Sequence, residues 1–334
     1  MSERRRLGES GLSVSVAGLG CNNLGRPKTA SADQAGSTAV VRAALDAGIT
    51  LFDVADIYGA ESGVSETMLG QALGGERANV VLATKFGMDA HGANGPDDGA
   101  RGSRRYIRQA VEASLRRLGT DWIDLYQFHQ PDPLTPIEET LAALDELVVA
   151  GKVRYVGHSN FSGWQLADAD WVAQTAGRNR FISAQNEYSL LNREVERELV
   201  PAAERFGVGL LPYFPLANGL LTGKYSAGSA PDGSRLRVAK PALMETAPWE
   251  TLAALETFCA ERSITMLELA FGALLANPVV SSVISGATRP EQVTANAAAA
   301  VAWIPTEEDL AVIDGIVTPP ARLGYRPTPA PRRS

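Results

Sequence analysis

Asp53, Tyr58, Lys85 and His129 are polar residues at or just beyond the ends of apolar runs. Asp53 and Tyr58 stand five apart in TLFDVADIYG, Lys85 ends the run in LATKFG, and His129 ends it in LYQFHQPD. Singly, each has an ordinary explanation: a helix-capping aspartate, a rim lysine with its stem on apolar surface, a hydrogen-bonded structural histidine, a loop tyrosine. Together they form a proton-transfer set. An ammonium close to a phenol favours the phenolate and lowers the tyrosine pKa. An aspartate facing that lysine keeps it charged and placed. A phenol so tuned gives a proton to an oxygen and takes one back near neutral pH. A neutral imidazole donating to the same oxygen orients it and stabilises developing charge. This chemistry suits carbonyl reduction, where a hydride arrives at carbon and a proton at oxygen. None of the four supplies the hydride, so a cofactor must.

Such residues can act together only if the fold brings strand ends to one place. Eight apolar or β-branched runs occur at 16–21, 50–55, 79–86, 122–129, 153–159, 181–187, 207–214 and 281–286. Helical patterns lie between them. RRYIRQAVEASLRRLG carries Tyr106, Ile107, Ala110, Val111, Leu115 and Leu118 at 3-4 spacing. PIEETLAALDELVVAG starts with Pro and stops at Gly, and NREVERELVPAAERFG ends on Gly. Eight βα units without a break in composition predict one (β/α)8 barrel, an α/β TIM-barrel domain over residues 1–318. The alternative, two Rossmann-like sheets, lacks its signature. GLGCNNLG has Asn23 where the third Gly of a dinucleotide fingerprint belongs, and GLLTGKY is one residue short of a phosphate-binding P-loop. Two short runs flanking Glu9-Ser10-Gly11 predict an N-terminal β-hairpin, placed to plug the bottom of the barrel. Long insertions at 87–103 and 215–247 follow strands, so they belong on the C-terminal face, where barrels carry their active sites. Residues 319–334 form a Pro- and Arg-rich tail.

The chain has 334 residues, 45% of them hydrophobic, which is ample for a large core. Its formal net charge of -7 repels nucleic acid and anionic membrane, so neither is an expected partner. The clusters Arg4, Arg5, Arg6 and Arg332, Arg333 read as solvated termini. Cys21 and Cys259 are far apart, and with three scattered His they give neither a disulfide framework nor a metal site; a reducing, cytoplasmic setting is expected. RRRLGES is followed by a stretch too polar and Gly-broken for an export signal, and no run of 18 apolar residues exists.

Several segments resemble the aldo-keto reductase superfamily: RRLGESGLSVSVAGLG, FDVADIYG, SETMLGQAL, LATKFG, SLRRLGTDWIDLYQFHQPD, GKVRYVGHSNFSGWQ, AQNEYSLLNRE, LLPYFPLANGLLTGKY and VISGATRPEQVTANAAA. They run in family order from about residue 4 to 315 and are most like the bacterial enzymes related to potassium-channel β subunits. The resemblance implies a barrel that binds NADPH in extended form across its rim, which accounts for the missing fingerprint. It implies the catalytic tetrad Asp53, Tyr58, Lys85 and His129. It assigns Ser159, Asn160 and Gln185 to the nicotinamide carboxamide and Tyr213 to stacking on the ring. Pro215, Leu216, Ala217, Gly219, Leu221, Gly223 and Lys224 would cover the pyrophosphate. Gly286, Thr288, Arg289, Gln292 and Asn296 would bind the adenosine end, with Arg289 beside the 2′-phosphate at a helix start. Three positions depart from common family patterns: Ser285 in place of Pro, Gln292 where some branches have Arg, and Val54 in place of Thr.

For a small carbonyl substrate, Asn22 with the residues up to Arg26, Trp122 or its neighbours, Trp164, Phe214 and the two insertions are the expected pocket. A Schiff-base aldolase is a poorer reading of Lys85, because that chemistry needs a neutral lysine and Asp53 keeps it charged. A second reading from the resemblance is an NADP(H)-binding regulatory or redox-sensing module with little turnover. The channel-subunit relatives act in that way and typically lack the tetrad histidine, which is present here as His129. Relatives occur as monomers and as homo-oligomers.

Overall fold

The computed structural model describes residues 3–229, 231, 236, 237 and 240–322. Strands β1 (Arg4–Arg6) and β2 (Ser13–Ser15) pair antiparallel. Then come β3 (Ala17–Gly20), β4 (Leu51–Asp53), β5 (Val81–Phe86), β6 (Ile123–Phe128), β7 (Val153–Ser159), β8 (Ser183–Gln185), β9 (Gly209–Leu210) and β10 (Val283–Gly286). These eight form one parallel sheet in the order β10-β3-β4-β5-β6-β7-β8-β9. The free edges meet. Leu210 N–H donates to Val279 O at 2.7 Å, Ser281 N–H to Leu210 O at 3.0 Å, and Ile284 N–H to Pro212 O at 3.0 Å. The sheet thus closes on itself as the expected (β/α)8 barrel.

Several strands are shorter than the apolar runs that announce them. The run 207–214 yields only Gly209–Leu210 as strand. Pro212 has no amide to extend the ladder, and Phe214 takes a left-handed φ of 53°. The expected helices form with local stops. Helix Arg104–Leu118 is capped by the Ser103 hydroxyl, which accepts from Tyr106 N–H, and ends at Gly119 with φ 62°. In PIEETLAALDELVVAG the helix begins at Ile137, with Pro136 just outside it. The insertion after β9 carries its own short helices, Ala217–Thr222 and Pro241–Thr246. The tail predicted for 319–334 lies outside the described residues from 323 onward. Among the described residues, no helix is long and apolar enough to cross a membrane.

Strand alternation sorts side chains into two layers. Phe52, Leu82, Phe86, Tyr126, Phe128, Val156 and Ala184 face outward, into the main core with Val41, Leu69, Ile107, Val111, Leu144 and Leu166 of the helices. Leu51, Ala83, Leu125 and Ile284 face inward and form a smaller cluster with Leu7 and Val14 of the hairpin region. Leu7 and Val14 have no exposed surface. Gly8, with φ 59°, brings the hairpin against the barrel, and Glu9 N–H donates to Gly207 O at 2.8 Å. Arg5 reaches from β1 to the carbonyls of Leu275 and Val280, at 2.7 and 3.1 Å. The hairpin is therefore the plug of the N-terminal end.

The plug depends on bare backbone at Gly209. A Cβ there would stand 2.5 Å from Gly8 N and from Ser281 Oγ, and 2.9 Å from Leu7 Cδ1. Gly209→Ala is therefore expected to lower stability by about 1–3 kcal/mol through overpacking. Urea unfolding measures this, and a variant as stable as the parent would refute tight seating of the hairpin at β9.

Candidate active site

The inward alternation that places Leu51, Ala83 and Leu125 in the lower barrel places Asp53, Lys85 and Gln127 one step above them. Lys85 pairs with Gln127 in the β5–β6 register. Asp53 is the hub. Its Oδ2 accepts from Lys85 Nζ at 2.6 Å, and its Oδ1 accepts from Gln127 Nε2 at 3.0 Å and Gln185 Nε2 at 2.9 Å. Four strands thus meet on one carboxylate. Lys85 is fully buried, and Val54 O takes a second ammonium proton at 3.0 Å. Burial by itself would lower the Lys85 pKa, but Asp53 and then Tyr58 more than offset it, so the ammonium is held above its ordinary value.

Lys85 Nζ lies 5.2 Å from the centre of the half-buried Tyr58 ring, and Tyr58 and His129 meet edge to face at 6.0 Å. The four candidate catalytic residues are therefore together. One electrostatic expectation changes. Lys85 does pull the Tyr58 pKa down, but burial acts more strongly and Asp53 adds to it, so the phenol sits above its usual value. It is a protonated donor at neutral pH. His129 is pushed well below the ordinary imidazole range, first by burial and then by Lys85. Its ring is neutral, and Nδ1 is enclosed without a partner.

The ends of β7, β8 and β9 continue the rim. Ser159 Oγ donates to Gln185 O at 2.7 Å. Asn160, left-handed at φ 60°, donates from Nδ2 to His129 O at 2.9 Å and to Ser159 Oγ at 3.1 Å. Tyr213 donates its hydroxyl proton to Asn160 Oδ1 at 2.9 Å, which fixes the half-buried Tyr213 ring beside these amides. Ser159, Asn160, Gln185 and Tyr213 are thus one contiguous group next to the Asp53 hub. Phe214 packs edge to face on Tyr213 at 5.1 Å and has the Lys240 ammonium 5.6 Å from its ring.

Beyond Pro215 and Leu216 the chain turns through left-handed Ala217, Asn218 and Gly219 and again at Gly223. Leu220 and Leu221 anchor this loop in a second apolar cluster with Tyr225, Leu252, Leu255 and Phe258. The amides of Ala217, Gly219 and Leu221 close turns onto Phe214 and Leu216 carbonyls. Lys224 is exposed, its ammonium 5.2 Å from the Tyr225 ring. Gly286, the last residue of β10, and Arg289 are exposed, and Arg289 immediately precedes helix Pro290–Ala302. Gln292 Oε1 accepts from Thr288 N–H at 2.8 Å and from its hydroxyl at 3.2 Å, so Gln292 braces this turn. Asn296 is buried and donates to Ser285 Oγ at 3.0 Å, a bond that a proline at 285 could not accept.

Not every expected pocket residue joins the group. Trp122 stands before β6, at the opposite end from His129, with Arg77 4.5 Å and Arg154 5.9 Å from its ring. Trp164 is 64% exposed in the first turn of helix Gly163–Thr175, its amide held by Glu198 at 2.7 Å. Asn22 borders Gly286: a Cβ at Gly286 would stand 3.2 Å from Asn22 Oδ1. Gln127 was not among the expected residues, although its position two before His129 in β6 puts it on the same inward face. Asp56, two residues before Tyr58, is fully buried and was also not anticipated.

The arrangement can transfer a proton from a held phenol under the control of a buried ammonium, beside a ring of amides and an aromatic plane. Comparison with known proteins identifies the family. The sequence model of the aldo/keto reductase family matches residues 17–318. The chain is similar to the "Uncharacterized oxidoreductase YrpG" of Bacillus subtilis, at 39% identity over 86% of this chain and 87% of that protein. It is similar to a "Probable voltage-gated potassium channel subunit beta" of Oryza sativa, at 35% identity over 87% and 89%. It is similar to an "L-glyceraldehyde 3-phosphate reductase" of Escherichia coli, at 33% identity over 93% and 91%. With the barrel closed, the inward polar layer assembled and the family match spanning nearly all of it, the chain belongs to the aldo/keto reductase family of oxidoreductases.

Proposed function

We propose that this protein reduces aldehydes or ketones to alcohols with NADPH, and that Tyr58 is the proton donor. The observation that carries the reading is the buried Lys85–Asp53 pair, at 2.6 Å, under Tyr58 and His129. Bound NADPH supplies the hydride that the carbonyl carbon receives. The carbonyl oxygen takes its proton from the Tyr58 hydroxyl, and Lys85 stabilises the phenolate left behind. His129, neutral, donates a hydrogen bond to that oxygen and holds it beside Tyr58. Asp53 touches neither reactant; it keeps Lys85 charged and placed.

The residues present fit the cofactor. Tyr213 offers a ring locked through its hydroxyl, and Ser159, Asn160 and Gln185 offer carboxamide partners at its edge. At the far end, exposed Arg289 before a helix start suits a 2′-phosphate, with Lys224 on the loop between. Phe214 stands on the Tyr213 ring and Asn22 beside Gly286, so both border the path proposed for the cofactor. The relative named as an L-glyceraldehyde 3-phosphate reductase supports including phosphorylated aldehydes in any substrate panel. The channel-subunit relative supports a second reading, an NADP(H)-binding module, and turnover separates the two. Tight NADPH binding with no oxidation across an aldehyde and ketone panel would favour the module.

Tyr58→Phe keeps the packing ring and removes the proton. Turnover is expected to fall about a hundredfold or more, the size of a lost acid–base group, while the NADPH dissociation constant stays near that of the parent. Absorbance of NADPH during reaction follows the first and protein fluorescence titration the second. Turnover within a few-fold of the parent would remove Tyr58 from the mechanism.

NADPH is expected to bind more than about tenfold tighter than NADH, because charge-assisted hydrogen bonds to the 2′-phosphate contribute about 1.5–3 kcal/mol each. Arg289→Ala should narrow the gap. Equal constants for the two cofactors would overturn the assignment of the Gly286–Asn296 segment. A gap that ignores Arg289→Ala would shift selectivity to Lys224, Thr288 or Gln292.

A further inference from the structure

Behind the tetrad, on the outer side of the barrel, lies a second buried polar cluster that the proposed chemistry does not use. Asp56 and Glu66 are both fully buried. Asp56 Oδ2 accepts from Asn94 Nδ2 at 2.6 Å. Asn94 Oδ1 accepts from Arg117 Nη2 at 2.9 Å, and Arg117 Nη1 donates to Ala93 O at 3.0 Å. Arg117 Nε donates to Glu66 Oε2 at 2.6 Å, and Glu66 Oε1 accepts from Thr84 Oγ1 at 2.6 Å. One arginine thus gathers three pieces of chain. They are the Tyr58-bearing turn, reached through Asn94 and Asp56; the 87–103 insertion, through Asn94 and Ala93; and β5, through Glu66 and Thr84, the residue before Lys85.

Burying two carboxylates against one guanidinium is unfavourable for packing alone, since an apolar cluster of the same volume would serve as well or better. The sequence positions suggest another use. Asp56 also donates its backbone N–H to Lys85 O at 3.3 Å, and Tyr58 N–H closes the turn onto Ala55 O at 3.1 Å. Asp56 is therefore fixed to Lys85 on its backbone and to the insertion on its side chain.

We propose that Asp56 is a positioning residue for Tyr58: through Asn94 and Arg117 it ties the tyrosine-bearing turn to the insertion that follows β5, so that the placement of that insertion sets the placement of the phenol. This rests on the reading of Tyr58 as proton donor. Burial first, then the nearby Glu66, pushes the Asp56 carboxyl up to about 8, against lowering contributions from Asn94, Arg117 and Lys85. Tyr58, Tyr106 and Tyr126 are the other titratable groups that feel its charge. Asparagine mimics the protonated carboxyl that this shift favours: the amide oxygen accepts from Asn94 as Oδ2 does, and the NH2 occupies the place of Oδ1, which is buried without a partner.

The test compares Asp56→Asn, Asp56→Ala and Asn94→Ala in the full chain, with melting temperature as the folding control. Backbone hydrogen exchange reads the tie directly. Asn94→Ala, far from Tyr58 in sequence, should speed exchange in residues 54–59 as well as in 87–103. Asn94→Ala and Asp56→Ala should lower kcat for carbonyl reduction about tenfold, the effect of a displaced reacting group, with the NADPH dissociation constant within about twofold, since cofactor contacts are untouched. Asp56→Asn should return kcat to within about threefold of the parent, as a hydrogen-bonded isostere keeps the geometry. Faster exchange confined to 87–103, or unchanged kcat in both alanine variants, overturns the proposal. A parent protein that binds NADPH but reduces no carbonyl defeats the proposed activity instead, a result the exchange comparison does not depend on.

Discussion

One carboxylate organises the upper barrel. Asp53 is 3% exposed and accepts from three side chains on three other strands. A buried charge is tolerable only when paired and hydrogen-bonded, and removing one partner leaves the other uncompensated. Lys85 therefore cannot leave Asp53, and Gln127 and Gln185 cannot exchange it for water. That constraint fixes the height of β4, β5, β6 and β8 relative to one another at the level where Tyr58 and His129 face each other. Gln185, expected only as a cofactor contact, is also part of this hub.

Much of the fold was legible because strand alternation and helix spacing are local signals. Eight runs marked eight strands, and Gly151 and Gly207 marked helix ends through their left-handed backbone. The grouping of Asp53, Tyr58, Lys85 and His129 was legible because a lone polar residue ending an apolar run is conspicuous. Gln127 was not, since inside LYQFHQPD it is one polar residue among several, and its role appears only when the register sets it against Lys85. Trp122 was misplaced for a related reason: a tryptophan at the start of a strand and one at its end look alike in sequence but sit at opposite ends of the barrel.

Other features depend on three-dimensional sums. The Tyr58 phenol is pulled down by Lys85 and pushed up by burial, and only the enclosed geometry decides that burial prevails. The bond from Asn296 to Ser285 arises at a position where the sequence departs from the family's common proline. The side-chain hydrogen bonds linking Asp56, Asn94, Arg117, Glu66 and Thr84 join residues 18 to 51 positions apart, beyond any local pattern.

The seam between β9 and β10 has a consequence for how the chain is made. The last strand pairs on one side with Ala17–Gly20 and on the other with the short β9, so the sheet has two raw edges until residue 286 has left the ribosome. Arg5, too, has no carbonyl at Leu275 or Val280 to hold until then. Nascent chains stopped short of that point expose unpaired strand edges, the surface on which partly folded proteins associate. Synthesis beyond residue 286 is what converts this sequence from a sticky sheet into a ring without ends.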